Sequence, residues 1–446
     1  MLNSVVSFVV ALGVLVFIHE YGHYSVARYF KVRVIRFSVG FGKPLFKWVN
    51  PKNKVEWTLS WIPLGGFVRM LDERDPESLL GDDINLNDAF NRKPVGQRIA
   101  IVLAGPLANL ILASVLFAGL AYVQPEGLST RLAQPTEHSL VAKIGVMQGD
   151  EVVQVNGKKT DNWADVSWAF LQAKLFGNDI ALTVKREHTE IALTPIKAEQ
   201  IVADIGPGLP RELGFALYEK RVLVRSISPD SPAASSNFQE NDELVSVNGQ
   251  MVESAAHFTA LVQPHPNVLV DFVVRREGND LQVRAVPMPV KQENGDLIGR
   301  MGLGVSGDVE VVNKPLGVFE AFEDGVARMF QVSVFSVVAL GKMLTGDLSW
   351  QHLSGPVSIA SAAGESSSLG ILPFLGFLAM VSVSLGVLNL LPIPILDGGH
   401  LMYYFAELVS GRPVSEKIQI VGQRLGGAII AGMTMVALFN DIQRLF

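Results

Sequence analysis

The chain has 446 residues, enough for two to four domains, and its 49% hydrophobic and 18% charged content lies on the membrane side of an average globular composition. A net charge of -6 gives no reason to expect nucleic acid as a partner. The absence of cysteine rules out disulfides and thiolate metal sites, so any zinc here is held by His, Asp or Glu.

Residues 1 to 30 open with an unbroken apolar run, Val5 to Ile18. No Lys or Arg precedes it and no small-x-small cleavage site follows, so Leu2 to Val26 reads as a retained spanning helix. The run ends in His19-Glu20-Tyr21-Gly22-His23. On a helix, histidines at i and i+4 project from one face, the spacing that lets two imidazoles share one zinc, and the intervening Glu20 can reach the water that the metal activates. Such a motif also arises by chance, and a histidine can be a satisfied core residue. Three ionisable side chains in a hydrophobic segment weigh toward function, because each is costly at membrane depth.

Residues 31 to 98 are crowded with Lys and Arg, among them Lys31, Arg33, Arg36, Lys43, Lys47, Lys52 and Lys54, and by the positive-inside rule this segment is cytoplasmic. Within it Val55 to Met70 alternates as far as Trp61, then meets Pro63 and Gly65-Gly66, the pattern of a strand and sharp turn. With Trp57 and Trp61 it fits either an amphipathic sheet in the membrane interface or an ordinary cytosolic hairpin. The second span, Ile99 to Tyr122 within residues 99 to 123, returns the chain to the outside.

Outside lies an internal repeat. Gly149-Asp150-Glu151-Val152-Val153-Gln154-Val155-Asn156-Gly157 aligns with Asn241-Asp242-Glu243-Leu244-Val245-Ser246-Val247-Asn248-Gly249. Each copy reads as a turn, a short strand, an Asn-Gly hairpin turn and a helix, Trp163 to Leu175 and Ser254 to Val262. The two copies resemble PDZ domains, expected at residues 124 to 220 and 221 to 310. Neither carries a clear Gly-apolar-Gly-apolar carboxylate loop, so screening of substrates by size is expected rather than capture of peptide ends.

Residues 311 to 368 include the apolar stretch Val318 to Leu344, interrupted by Glu320, Glu323, Asp324, Arg328 and Lys342 as in a helix lying on the membrane surface. Residues 369 to 400 hold the third span, Ile371 to Leu391, which ends in Asn389-Leu390-Leu391-Pro392-Ile393-Pro394-Ile395-Leu396-Asp397-Gly398-Gly399. Two prolines break the helix, and irregular backbone near a membrane persists only where protein or water satisfies it. Asp397 is either the third ligand of a tetrahedral site with an open position or a helix-capping carboxylate. Length favours the ligand: His19 lies about 25 Å along its helix, toward the cytoplasmic side, and Asp397 follows the inward end of an outside-to-inside span. One more crossing would put them on opposite sides. His400 either supports this site or only packs. Residues 401 to 446 provide a cytoplasmic loop and the fourth span, Val421 to Phe439.

HEYGH and NLLPIPILDGG, with PLGGFVRM at Pro63 to Met70, AGPLAN at Ala104 to Asn109 and LSGPVSIA at Leu353 to Ala360, resemble the site-2 protease family of intramembrane zinc metalloproteases, in its bacterial branch. The resemblance implies a multi-span α-helical membrane protein with four transmembrane helices, a membrane-associated β-hairpin and two tandem extracytoplasmic PDZ-like α+β domains. It implies one Zn2+ per chain on His19, His23 and Asp397, with Glu20 as the catalytic residue. Asn389, Gly66 and Phe67 would bind substrate, with Val55 to Met70 as a membrane-reentrant β-structure. The expected location is the bacterial inner membrane, in contact with lipid, with the PDZ-like domains periplasmic and the active site toward the cytoplasm. The expected substrate is a single-pass membrane protein of anti-sigma factor type, or a remnant signal peptide, cleaved after its external domain has been trimmed. Two other classes fit parts of the pattern: a membrane-anchored PDZ scaffold without proteolysis, and a metal transporter, which would need a polar path through both leaflets where the outward half of the first span is apolar.

Overall fold

The long apolar runs fold as helices in the computed structural model, which describes residues 2–79, 84–124, 126–136, 138–202, 205–206, 208–292 and 295–445. Two units form: Met1–Pro125 with Pro315–Phe446, and Glu126–Lys314. The first contains α1 (Leu2–Tyr29), β1 (Val34–Val49), β2 (Glu56–Met70), α2 (Val95–Val123), α3 (Val318–Thr345), α4 (Pro356–Leu369), α5 (Ile371–Leu390), α6 (Asp397–Ser410) and α7 (Glu416–Leu445). Four of these match the expected spans: α1, α2 and α7 extend them by a few residues, and α5 ends one residue earlier. A fifth, α3, is also long and apolar enough to cross a membrane by length and composition.

Small residues set how the helices run against one another. A Cβ on Gly376 of α5 would lie 3.7 Å from Leu120, and one on Gly386 would lie 3.1 Å from the Pro106 carbonyl oxygen, so α5 is antiparallel to α2. Ala11 and Leu15 of α1 pack with Leu378 of α5 in one buried cluster. Asn3, at the start of α1, donates to Ser368 Oγ at 3.0 Å near the end of α4, just before α5 begins. The end of α2 and the start of α5 therefore share one end of the bundle, the end at which α1 starts. The chain between them leaves and re-enters at the same end.

The two long strands fold back on themselves. Residues 36–39 of β1 pair with 66–69 of β2 on one side and with 56–59 on the other, while residues 44–49 pair along the far side of 56–60. The result is four short stretches in the order 44–49, 56–60, 36–39, 66–70. Gly40 at φ +87° makes the bend possible, since a Cβ there would also press on the Ile62 carbonyl. Phe37 anchors the sheet at 1% exposure, with its ring 4.4 Å from that of Trp57 and with Ala27, Val55 and Ile101 buried around it.

The second unit has two separate cores, one built around Phe170 and Phe215 and the other around Phe238, Phe258 and Phe272. Each core backs one principal antiparallel sheet, spanning Glu151–Ala192 and Glu219–Val309, and one helix, Trp163–Phe176 and Ala255–Val262. The repeat is faithful in detail. Asn156-Gly157 and Asn248-Gly249 have positive φ at both positions, as a tight hairpin turn requires, and Asn241 adopts the left-handed conformation of its counterpart Gly149.

Candidate metal centre

His19 and His23 lie on the face of α1 turned toward α2, at 8% and 9% exposure, with Glu20 between them at 7%. Glycine permits the close approach: a Cβ on Gly22 would collide with the Ala104 carbonyl, and one on Gly105 with the His23 ring. Asp397 arrives from the opposite side. Pro392 and Pro394 stop α5 from continuing, Gly398 and Gly399 press against the carbonyls of Leu390, Leu391 and Ile393, and Asp397 becomes the first residue of α6. Farther along α6, Glu407 pairs with Arg98 at the base of α2 at 2.7 Å, with both side chains under 15% exposed. The Arg98 guanidinium also lies 4.9 Å over the Tyr404 ring. These contacts fix the helix that presents Asp397.

The donor atoms converge. His19 Nε2 and His23 Nε2 are 3.3 Å apart, and Asp397 Oδ2 lies 3.1 Å from the first and 3.4 Å from the second. Ligands about 2.0–2.1 Å from a tetrahedral zinc stand about 3.3–3.4 Å from one another, so this triangle has the size of one face of such a site. Asp397 Oδ2 is buried and lacks a hydrogen-bond donor, an arrangement that costs free energy unless a cation completes it. The set of two imidazoles and one carboxylate suits zinc and leaves its fourth position open. Among the described residues this is the group of three that could hold a metal ion.

A cavity of about 940 Å³ opens on these atoms. His19, Glu20, His23 and Asp397 line it together with Asn389, His400 and the strand residues Gly65 to Met70. Gly66 lies directly on Glu20: a Cβ there would be 2.9 Å from Glu20 Cγ and 2.6 Å from the Ser38 carbonyl oxygen. The neighbouring Phe67 ring stacks with Phe41 at 6.2 Å. Residues 66–70 pair with β1 along one side only, and their other edge faces this cavity. The sheet thus presents its edge through five residues, whereas residues 56–59, within the same expected strand, are paired on both sides.

All seven residues singled out from the sequence, His19, Glu20, His23, Asp397, Asn389, Gly66 and Phe67, meet around one cavity. His400 lines it outside the donor triangle. The sequence reading attached no role to Asn109 or Gly105, although both touch the imidazoles. The available signal was an asparagine inside an apolar span, where an unpaired amide is expensive.

The model of peptidase family M50 matches residues 7–433 of the chain. A candidate zinc metalloprotease of Ralstonia nicotianae is 37% identical over 468 residues, 99% of each chain. The regulator of sigma-E protease RseP of Escherichia coli is 35% identical over 455 residues, 98% of each chain, and that of Salmonella typhimurium 33% over 459 residues, 99% of each. Among solved structures, a PDZ domain of an SdrC-like protein from Listeria monocytogenes covers 20% of this chain and 92% of its own, at 16% identity and a TM-score of 0.17.

Proposed function

Because the chain belongs to peptidase family M50, it is an intramembrane zinc metalloprotease of regulated intramembrane proteolysis, and we propose that His19, His23 and Asp397 hold one zinc ion per chain, with Glu20 as the catalytic acid and base. The observation that carries this assignment is the triangle of donor atoms, sized for tetrahedral zinc and closed by a carboxylate oxygen without another partner. Zinc, when bound, supplies a Lewis acid that polarises the scissile carbonyl and lowers the pKa of an attacking water. The Glu20 carboxylate takes the proton of that water and later delivers it to the leaving amine. Burial beside Gly66 keeps bulk water from Glu20 and leaves room for a peptide backbone against the strand.

A transmembrane substrate must unwind before it can be cut, because its amides are already bonded within its helix. The free edge at Gly66 to Met70 replaces those bonds by strand addition, with Phe67 contributing an apolar contact and Asn389 holding the substrate backbone from the opposite wall. The substrate is a single-pass membrane protein of anti-sigma factor type, or a remnant signal peptide, admitted after its own external domain has been trimmed.

Four helices, α1, α2, α5 and α7, cross the bacterial inner membrane, and α3 lies along it. The shared end of α2 and α5 supports that count. Residues 124–220 and 221–310 are tandem PDZ-like domains on the periplasmic side, filtering substrates by size, and the catalytic cluster lies toward the cytoplasm. In this arrangement the exposed Phe46, Trp48 and Trp61 of the folded-back sheet meet lipid.

The test is an assay of purified protein in detergent on a tagged single-span substrate, with and without chelator, comparing wild type with Glu20→Gln. Cleavage lost in both the chelated and substituted samples is the expected outcome. Undiminished cleavage by Glu20→Gln would reject the assignment and favour a scaffold.

A further inference from the structure

The motif Ala104 to Asn109 carries a task that its place in a packed helix does not explain. Asn109 is completely buried at 0% exposure, deep within an apolar span. Its side-chain nitrogen lies 3.2 Å from His19 Nδ1, while its Oδ1 is buried with no hydrogen-bond partner. The oxygen and nitrogen of an amide are assigned from the network around them, not from shape. With the two exchanged, Oδ1 accepts the hydrogen bond from His19 Nδ1–H, and the His19 Nε2 lone pair is left pointing at Asp397 and His23 Nε2. The backbone of Asn109 is itself held, since Ser382 Oγ of α5 donates to its carbonyl at 2.7 Å.

His23 is treated in the same way by the same helix. Its Nδ1 lies 2.9 Å from the Ile101 carbonyl oxygen, which can only accept, so that Nδ1 carries the proton and Nε2 is free. Ile101 and Asn109 are eight positions apart, about two turns, and so lie on one face of α2. We propose that Asn109 is a positioning residue for the metal centre: its side-chain oxygen fixes the tautomer and orientation of His19, as the Ile101 carbonyl does for His23, so that both imidazoles present Nε2 to one ion. An uncharged acceptor suits this depth, where a second carboxylate would bring a further buried charge.

This rests on the reading that His19 is a zinc ligand, and the experiment separates the two. Full-length protein in detergent is stripped of metal, and its zinc dissociation constant is measured by chelator competition for wild type, His19→Ala, Asn109→Leu and Asn109→Asp. Leu keeps the branched heavy-atom shape of Asn and removes the acceptor, whereas Asp keeps an acceptor in the same place. A positioning role predicts a loss of about 10- to 100-fold for Asn109→Leu, with affinity retained by Asn109→Asp. A packing role predicts the reverse order. Native affinity in Asn109→Leu, or an equal loss in both variants, would overturn the proposal while His19→Ala still released zinc. Native affinity in His19→Ala would instead overturn the ligand assignment beneath it. Should Asn109→Leu fail to fold, the wild-type protein decides: with ring-15N histidine, a slowly exchanging Nδ1 proton on His19 is expected, and rapid exchange with water would count against the bond.

Discussion

Aspartates withdrawn from solvent are treated in two opposite ways in this protein. In the second unit Asp150 and Asp242, at 0% and 1% exposure, hold corresponding positions in the two copies of the repeat. Asp150 accepts from Met147 N and from Arg186 at 2.8 and 2.9 Å, and Asp242 accepts from Gln239 N and from Arg276 at 2.7 and 2.8 Å. Both carboxylates are fully engaged and close a turn. In the helical unit Asp397, at 19% side-chain exposure, faces two imidazoles with Oδ2 unsatisfied. A buried acid that has spent its lone pairs is architecture, and one that has kept a lone pair is poised for a ligand.

The sharpest way to break this contrast is at Glu20. Glu20→Gln should lower the cleavage rate by about 10²- to 10⁴-fold while zinc content, read by metal analysis, stays at the wild-type level. Next comes the exchange of fates between the acids. Asp242→Ala strands Arg276 beside a core and should cost the second unit about 3 kcal/mol, read as lost hydrogen-exchange protection in residues 219–309. Asp397→Ala should abolish zinc retention yet leave the melting temperature of the metal-free protein unchanged or raised. If Asp397→Ala instead destabilised the metal-free form as much as Asp242→Ala does the second unit, the distinction would collapse.

A smaller effect is expected at the strand edge. Gly66→Ala pushes a methyl group against Glu20 and the Ser38 carbonyl, and should slow cleavage at least tenfold with zinc affinity unchanged, a split visible by running both assays on one preparation. The smallest is electrostatic. Burial pulls the Asp161 carboxyl upward, but the ammonium groups of Lys314 and Lys159 outweigh it and hold the group below its ordinary value near 3.8. A folded-state value below the unfolded one stabilises above that ordinary value, and the contribution disappears as pH falls through the folded one. Asp161→Asn should therefore cost under about 1 kcal/mol at pH 7 and nothing once acid has protonated the native carboxylate, as a pH series of exchange protection would register.

The site was largely legible because its signals are local: two histidines a turn apart, a glutamate between them, and an aspartate beyond two prolines. Their meeting was also inferable, since span lengths put both segments at one depth. The folded-back sheet was not, because β1 pairs twice through bends at Gly40 and near Gly65, and periodicity within Val55 to Met70 registers alternation but not which stretch is left at the edge. Helix α6 was hidden because Pro392, Pro394 and Gly398-Gly399 look like a loop, although they only set the entry into Asp397–Ser410. Asn109 looked like part of a motif until its neighbours were known.

Asp441 lies in the last turns of α7, yet it accepts from the backbone of Gly355 and Val357 at 3.1 and 2.8 Å, beside Asn440, which donates to Trp350 and Leu353. Those few terminal residues fasten the start of α4, and α4 in turn is tied to the opening of α1 through Asn3. A truncation ending at Phe439 would thus undo a clasp at the far end of the bundle from the chemistry, and a reporter fused too tightly behind Asp441 would strain it.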